Sequence, residues 1–214
     1  MKPYYQDDLV TIYHGDCLEL LPELAFDVVV TDPPYGINWS QGQRHKNGPA
    51  DAHAGIENDH STECRDQMIA VTDGLPMLCF GSPKVAPPAG TRQVLVWQKS
   101  PGAGFFGCFA GWRKDWEAIY LLGDWKQAPP TRSSLLTTHR SVVNEGHPHA
   151  KPTSLLRELI GALPLGVILD PFMGSGSTLR AAKDLGRKAI GIEIDEAYCE
   201  IAAKRMAQEV LDFR

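Results

Sequence analysis

Asp32, Pro33, Pro34 and Tyr35 stand together, with only Thr31 between them and the apolar run 26–30. A carboxylate and a neighbouring backbone carbonyl can each accept a hydrogen bond. Together they can hold both N–H bonds of an amino group. Consecutive prolines fix φ and so aim those acceptors. Tyr35 offers a flat face on which a planar ring can stack. An amino group on a heteroaromatic ring is a poor nucleophile, because its lone pair is delocalised into the ring. Holding both N–H bonds turns that lone pair toward an electrophile. A site of this kind works by orientation and electrostatic stabilisation more than by acid–base catalysis. Methyl transfer to such an amino group is the chemistry these four residues suit. They suit a proline-rich turn after a strand equally well, with Tyr35 as a packing aromatic.

A second stretch is built to hold a ligand. Asp170-Pro171-Phe172-Met173-Gly174-Ser175-Gly176-Ser177-Thr178 follows the apolar run 167–169 and opens a helical pattern. Gly174 and Gly176 let the backbone turn tightly and approach a ligand closely. The helix start behind them presents free amides and a partial positive charge, which suits a carboxylate or phosphate. Glu193 ends the next strand pattern and can accept from two ribose hydroxyls. The third glycine of the dinucleotide pattern is absent, and there is no G-K-[ST]. A nucleoside carrying one anionic group therefore fits better than a diphosphate, and S-adenosylmethionine meets that description. A tight strand-to-helix turn without a ligand would share the pattern.

The elements that must position these residues read as an α/β succession. Strands are expected at 9–13, 26–30, 76–80, 93–98, 116–122, 167–169 and 189–192. Helices are expected at 17–24, 60–73, 151–160, 178–185 and 196–210, with Ser61 or Thr62 capping the second. Residues 36–58 read as a long mobile loop, and 123–150 as irregular chain. His45, His53, His60 and Cys64 lie in or near that loop, but their spacing fits no zinc pattern, so no metal site is expected. The catalytic candidates and the glycine turn each sit where a strand ends, the rim at which open α/β sheets bind ligands.

The 214 residues and 43% hydrophobic content suit one domain over 1–214. Five dispersed cysteines suggest reduced thiols and a cytoplasmic setting. No apolar run is long enough to span a membrane. The net charge of −5 is unevenly spread. Residues 1–83 carry 4 basic and 13 acidic side chains, residues 84–151 carry 9 and 4, and residues 152–214 carry 8 and 9. Only the middle third is basic. It also gathers Trp97, Phe105, Phe106, Trp112, Trp116 and Trp125, a combination that can contact phosphates or simply form a mixed solvated surface.

Asp32-Pro33-Pro34-Tyr35 resembles the catalytic tetrapeptide of amino-directed DNA methyltransferases. The stretch from Asp170 to Thr178 resembles their S-adenosylmethionine motif, and His149-Ala150-Lys151-Pro152-Thr153 the element before it. Catalytic motif first and cofactor motif last is the order of the β group. The resemblance implies a Rossmann-like, circularly permuted fold with a seven-stranded, mostly parallel sheet and one antiparallel strand. It also implies roles. Phe172, Gly174, Ser175 and Gly176 would line the cofactor site with Asp170. Lys151, Thr153 and Thr178 would lie near the methionine carboxylate. Glu193 would hold the ribose, and Asp16 the adenine amino group, with Cys17 and Ile194 beside it. Asp32, Pro33, Pro34 and Tyr35 would hold the target base, and a leading Asp points to adenine N6.

The expected partner is double-stranded DNA with its target base turned out of the stack. Target recognition would fall to 123–148, where Lys126, Arg132 and Arg140 are the DNA-facing candidates beside His139 and Asn144. So small a segment suggests a short site, relaxed specificity or help from a second copy of the chain. A cognate restriction enzyme and a bacterial or phage cytoplasm are further implications of the family. Two substrate alternatives stay open: cytosine N4, and an amino or amide nitrogen of RNA or a protein glutamine. A DNA-binding protein with a decayed site is the non-enzymatic alternative, although Asp16, Asp32 and Glu193 are all present.

Overall fold

A computed structural model describes residues 1–38, 59–72, 74–99, 108–125, 131–137 and 150–208. Its strands are β1 (Tyr5–Gln6), β2 (Val10–His14), β3 (Val28–Thr31), β4 (Met77–Gly81), β5 (Gln93–Gln98), β6 (Trp116–Leu122), β7 (Leu135–Thr137), β8 (Ile168–Asp170) and β9 (Ala189–Glu193). Its helices are α1 (Cys17–Leu20), α2 (Glu63–Val71), α3 (Thr153–Ile160), α4 (Ser177–Asp184) and α5 (Glu196–Ala207). All nine strands form one sheet in the order β1-β2-β9-β8-β3-β4-β6-β5-β7.

The sheet is mixed. β2, β9, β8, β3 and β4 run parallel, β6 runs against β4 and β5, and β1 runs against β2. The expected seven strands with one reversed are thus nine strands with two reversed. The additions are the edges. β1 has two residues and β7 has three, too few to leave a period-2 signal, and β7 lies inside the stretch read as irregular.

Every residue of β3 and β4 is buried, as in strands covered on both faces. Alternation divides them between two cores. Val28 and Val30 pack with Leu155, Leu159, Leu179 and Ala202 of the helices α3 to α5. Val29 packs with Cys17, Leu21 and Met68 on the side of α1 and α2. The helix expected at 17–24 stops after four residues, Cys17–Leu20, because Pro22 has no N–H to continue α1. The chain tightens into a 3-10 turn at Leu21–Glu23.

This topology gathers chemistry on one rim. β2, β9, β8 and β3 are neighbours and end on the same side. Glu193 is the last residue of β9, and the segments after β2, β8 and β3 carry Asp16, the glycine turn and the Asp32 tetrapeptide. The reversed strand β6 begins at that rim, so Glu117 near its start arrives there too.

Candidate active site

Asp32 follows β3 and is fixed by two neighbours. The Tyr35 hydroxyl donates to Asp32 Oδ1 at 2.6 Å, and the Lys151 ammonium donates to Oδ2 at 2.6 Å. Lys151 Nζ also reaches the Tyr35 hydroxyl at 3.2 Å and lies 5.6 Å from the centre of the Tyr35 ring. Tyr35 is partly buried against the α3–α5 core. Pro33 is buried and Pro34 half-buried.

Behind the tetrapeptide the backbone is clamped. Gly36 adopts φ +72°, and a Cβ there would lie 2.8 Å from the Ser61 carbonyl carbon. The Gly36 amide donates to Asp59 Oδ1 at 2.8 Å, and the Asn38 amide donates to the Asp59 carbonyl at 2.7 Å. Asp59 is only 3% exposed. The rest of the loop expected at 36–58 lies outside the described residues.

Lys151 precedes α3 and contacts a second acid. Its ammonium lies 3.2 Å from Glu117 Oε2, while Lys99 reaches Glu117 Oε1 at 2.5 Å. Burial alone would lower the pKa of Lys151, but Asp32 and Glu117 outweigh it and hold the ammonium above the usual lysine range. Burial alone would raise the pKa of Glu117, and Lys151 and Lys99 pull it below its ordinary value. The resemblance set Lys151 beside a methionine carboxylate. The structure engages its ammonium with the two protein carboxylates, and Thr153 begins α3 two residues on.

The glycine turn is pinned from inside. Asp170 ends β8, is 2% exposed, and accepts from the Thr31 hydroxyl at 3.0 Å and the Phe172 amide at 3.2 Å. Burial pushes its carboxyl up to about 7, against the hydrogen bonds from Thr178 and Thr31 that pull it down. Ser175 and Thr178 are buried as well, so with Asp170 they shape the turn rather than face outward. Gly176 adopts φ +79° at the start of α4, and a Cβ there would press on Ala202 of α5 at 3.0 Å. Gly174, at φ +50°, would meet nothing within 4 Å. It is the open position of the turn. Phe172 packs partly buried against the α1–α2 core.

Glu193 closes the same region. It accepts from the Gly174 amide at 2.9 Å and the Asp195 amide at 3.0 Å, and burial raises its pKa. His14 pairs with Glu193 across β2 and β9, and the Gly15 amide donates to the Glu193 carbonyl at 2.9 Å. Asp16 caps α1 by accepting from the Leu18 amide at 2.8 Å. Cys17 is buried behind it, and Ile194 is 40% exposed.

Of the DNA-facing candidates, Arg132 is exposed beside β7. Lys126, Arg140, His139 and Asn144, with most of 123–148, lie outside the described residues. Three residues of the site escaped the sequence reading. Glu117 is the single charge in the strand Trp116–Leu122, and that isolation was its signal. Asp59 and Lys99 carried none, because each looks like an ordinary loop polar group.

The chain matches the family model described as DNA methylase, for N6- and N4-directed enzymes, over residues 90–204, more than half its length. It is 28% identical to the type II methyltransferase M.ScaI of Streptomyces caespitosus, across 97% of this chain and 84% of that one. Its fold is similar to that of the cytosine-N4-specific PvuII DNA methyltransferase, with a TM-score of 0.72 at 18% identity over 99% of this chain and 91% of that one. It is similar as well to M1.HpyAVI, solved as a complex with S-adenosylmethionine, with a TM-score of 0.67 at 23% identity over 94% of this chain and 100% of that one.

Proposed function

The chain belongs to the DNA methylase family of N6- and N4-directed enzymes, and we propose that it methylates adenine N6 in double-stranded DNA with S-adenosylmethionine as donor. The observation that carries this reading is the placement of Asp32 and Gly174 after neighbouring strands, β3 and β8, on one rim. An acceptor for an amino group and an open backbone position for a nucleoside thereby share one site.

The residues present fit the donor. Gly174 leaves open space where a side chain would stand. Glu193 supplies a carboxylate for the ribose hydroxyls, and Asp16 ends the neighbouring strand segment. The start of α4 suits one carboxylate. When bound, S-adenosylmethionine supplies an electrophilic methyl group on a sulfonium centre.

The chain's own residues do the rest. Lys151 holds the Asp32 carboxylate in place, and that carboxylate accepts from one N–H of the target amino group. The Pro33 carbonyl takes the other. The nitrogen lone pair then faces the donor, and the Tyr35 ring stacks the base. Turning the base out of the duplex costs a few kcal/mol, which the groups holding the opened strands must offset. The leading Asp of the tetrapeptide supports adenine over cytosine.

The test is labelled S-adenosylmethionine with mixed-sequence duplex DNA, followed by hydrolysis to nucleosides. Label in N6-methyladenine is expected. Label in N4-methylcytosine reassigns the base, and an unlabelled nucleoside pool overturns the reading. RNA and glutamine-peptide competitors in the same assay decide between substrate classes.

A further inference from the structure

We propose that Glu117 is a positioning residue for this site, holding the Lys151 ammonium against Asp32 while Lys99 anchors Glu117 from behind. The inference rests on the reading of Asp32 as the amino-group acceptor.

Four charges alternate in a line. Lys99 meets Glu117, Glu117 meets Lys151, and Lys151 meets Asp32. The two middle charges are the buried ones. The side chains of Glu117 and Lys151 are 15% and 11% exposed, between Lys99 at 29% and Asp32 at 32%. The buried pair therefore sits behind an outer carboxylate that can meet a substrate.

The fold explains the geometry. β6 runs against its neighbours, so its first residues share a rim with the last residues of β4 and β5. Glu117 lies opposite Trp97, and Lys99 follows β5 directly. The rings of Phe80, at 5.1 Å, and Tyr35, at 5.6 Å, flank the Lys151 ammonium. A lysine held by one carboxylate could swing with it. Held between two, it has one resting place, and Asp32 is aimed by it.

Burying a charged acid on a central strand is costly unless it is paired. A strand residue with only a packing role would be apolar, as Ala118 and Ile119 are. Glu117 instead gives Lys151 a second counter-charge. Among the described residues, the charged and titratable groups facing Lys151 are Asp32 and Tyr35 from the β3 turn and Glu117 from β6, with Lys99 behind Glu117.

Glu117→Gln keeps the shape and removes the charge. The expected result is kcat lower by about tenfold or more, since small misplacements of an acceptor are costly. KM for DNA and for S-adenosylmethionine should stay within about twofold, as in the loss of an interaction made in the transition state. Lysine-labelled, cofactor-free protein supplies a readout apart from activity. Lys151, assigned with Lys151→Met, should show no titration up to about pH 10 in the wild type, and the variant should bring its loss of the proton down toward the ordinary lysine range. An unchanged kcat, a KM rise equal to the kcat loss, or an unchanged Lys151 titration overturns the proposal. If Glu117→Gln does not fold, Lys99→Met decides: a lower kcat at constant KM supports it, and full kcat overturns it. Wild-type protein that methylates no nucleic acid overturns the proposed function instead, and the Lys151 titration still reports the pairing.

Discussion

The Thr31 hydroxyl donates to the Asp170 carboxylate across 3.0 Å, and both residues are buried. One ends β3 and the other ends β8, so this single bond ties the turn that carries Asp32 to the turn that carries Gly174. The two halves of the site are thereby fixed relative to one another at their roots.

Thr31→Val keeps the shape and removes the donor. A buried acceptor left short of a partner costs about 1–3 kcal/mol. Denaturant unfolding should show a loss of that size, and methyl transfer should fall further than stability alone explains. A variant with wild-type stability and rate would mean that the bond does not set the spacing of the two turns.

Asp170 makes a pH prediction with a definite sign. Its folded carboxyl is raised to about 7 from 3.8. The folded protein therefore binds a proton that the unfolded chain has lost. This contribution is fully present below pH 3.8, falls as pH rises toward 7, and stays lost above that. Asp170→Asn is neutral throughout and keeps an acceptor for Thr31. Its Tm relative to wild type should rise between about pH 4 and pH 7 and level off beyond. Parallel Tm curves for the two proteins would contradict the assignment.

Much of this arrangement was legible in the sequence because its signals are local. The strands Gln93–Gln98 and Trp116–Leu122 were read to the residue, and the others to within about two positions, since alternating or continuous apolar runs mark them. The glycine turn and Asp32-Pro33-Pro34-Tyr35 stood out by composition. Pairings between distant residues left no such trace. Lys151 lies 119 residues from Asp32, and nothing near either one names the other. Glu117 stood out only as the single charge of its strand, and its partners Lys99 and Lys151 come from other segments. The edges β1 and β7 were too short to show a period.

The two glycines of the site should respond differently to alanine. Gly36 combines φ +72° with backbone atoms 2.8 Å from any Cβ. Gly36→Ala must shift the chain directly after Tyr35, so both Tm and kcat should drop. Gly174 has positive φ but open space around it. Gly174→Ala should cost only about 1 kcal/mol of stability, the usual penalty for a left-handed residue. Its methyl would occupy the opening proposed for the donor, so calorimetric affinity for S-adenosylmethionine should weaken by about tenfold or more, the equivalent of about 1.4 kcal/mol. Equal effects of the two substitutions on stability and on binding would count against this division.

Lys151 should matter to folding as well as to catalysis. Lys151→Met fills similar volume but leaves Asp32 and Glu117 facing each other without the cation between them. Removing one partner of a buried ion pair costs about 3–5 kcal/mol. Asp32 is partly exposed and Glu117 keeps Lys99, which places the loss at the lower end of that range. The pH dependence is fixed by the raised pKa of Lys151. Its contribution is fully present below the ordinary lysine value and is lost only as pH rises through the folded one. The stability gap between wild type and Lys151→Met should therefore be flat from pH 6 to about pH 9. Over the same range Lys151→Arg should recover part of the stability but little of the rate, because a planar guanidinium cannot take the place of a compact ammonium between the two carboxylates. Urea titrations at three pH values, with single-turnover methylation on the same preparations, measure both. A gap that closes between pH 6 and pH 9, or full activity in Lys151→Met, would remove Lys151 from the centre of the site.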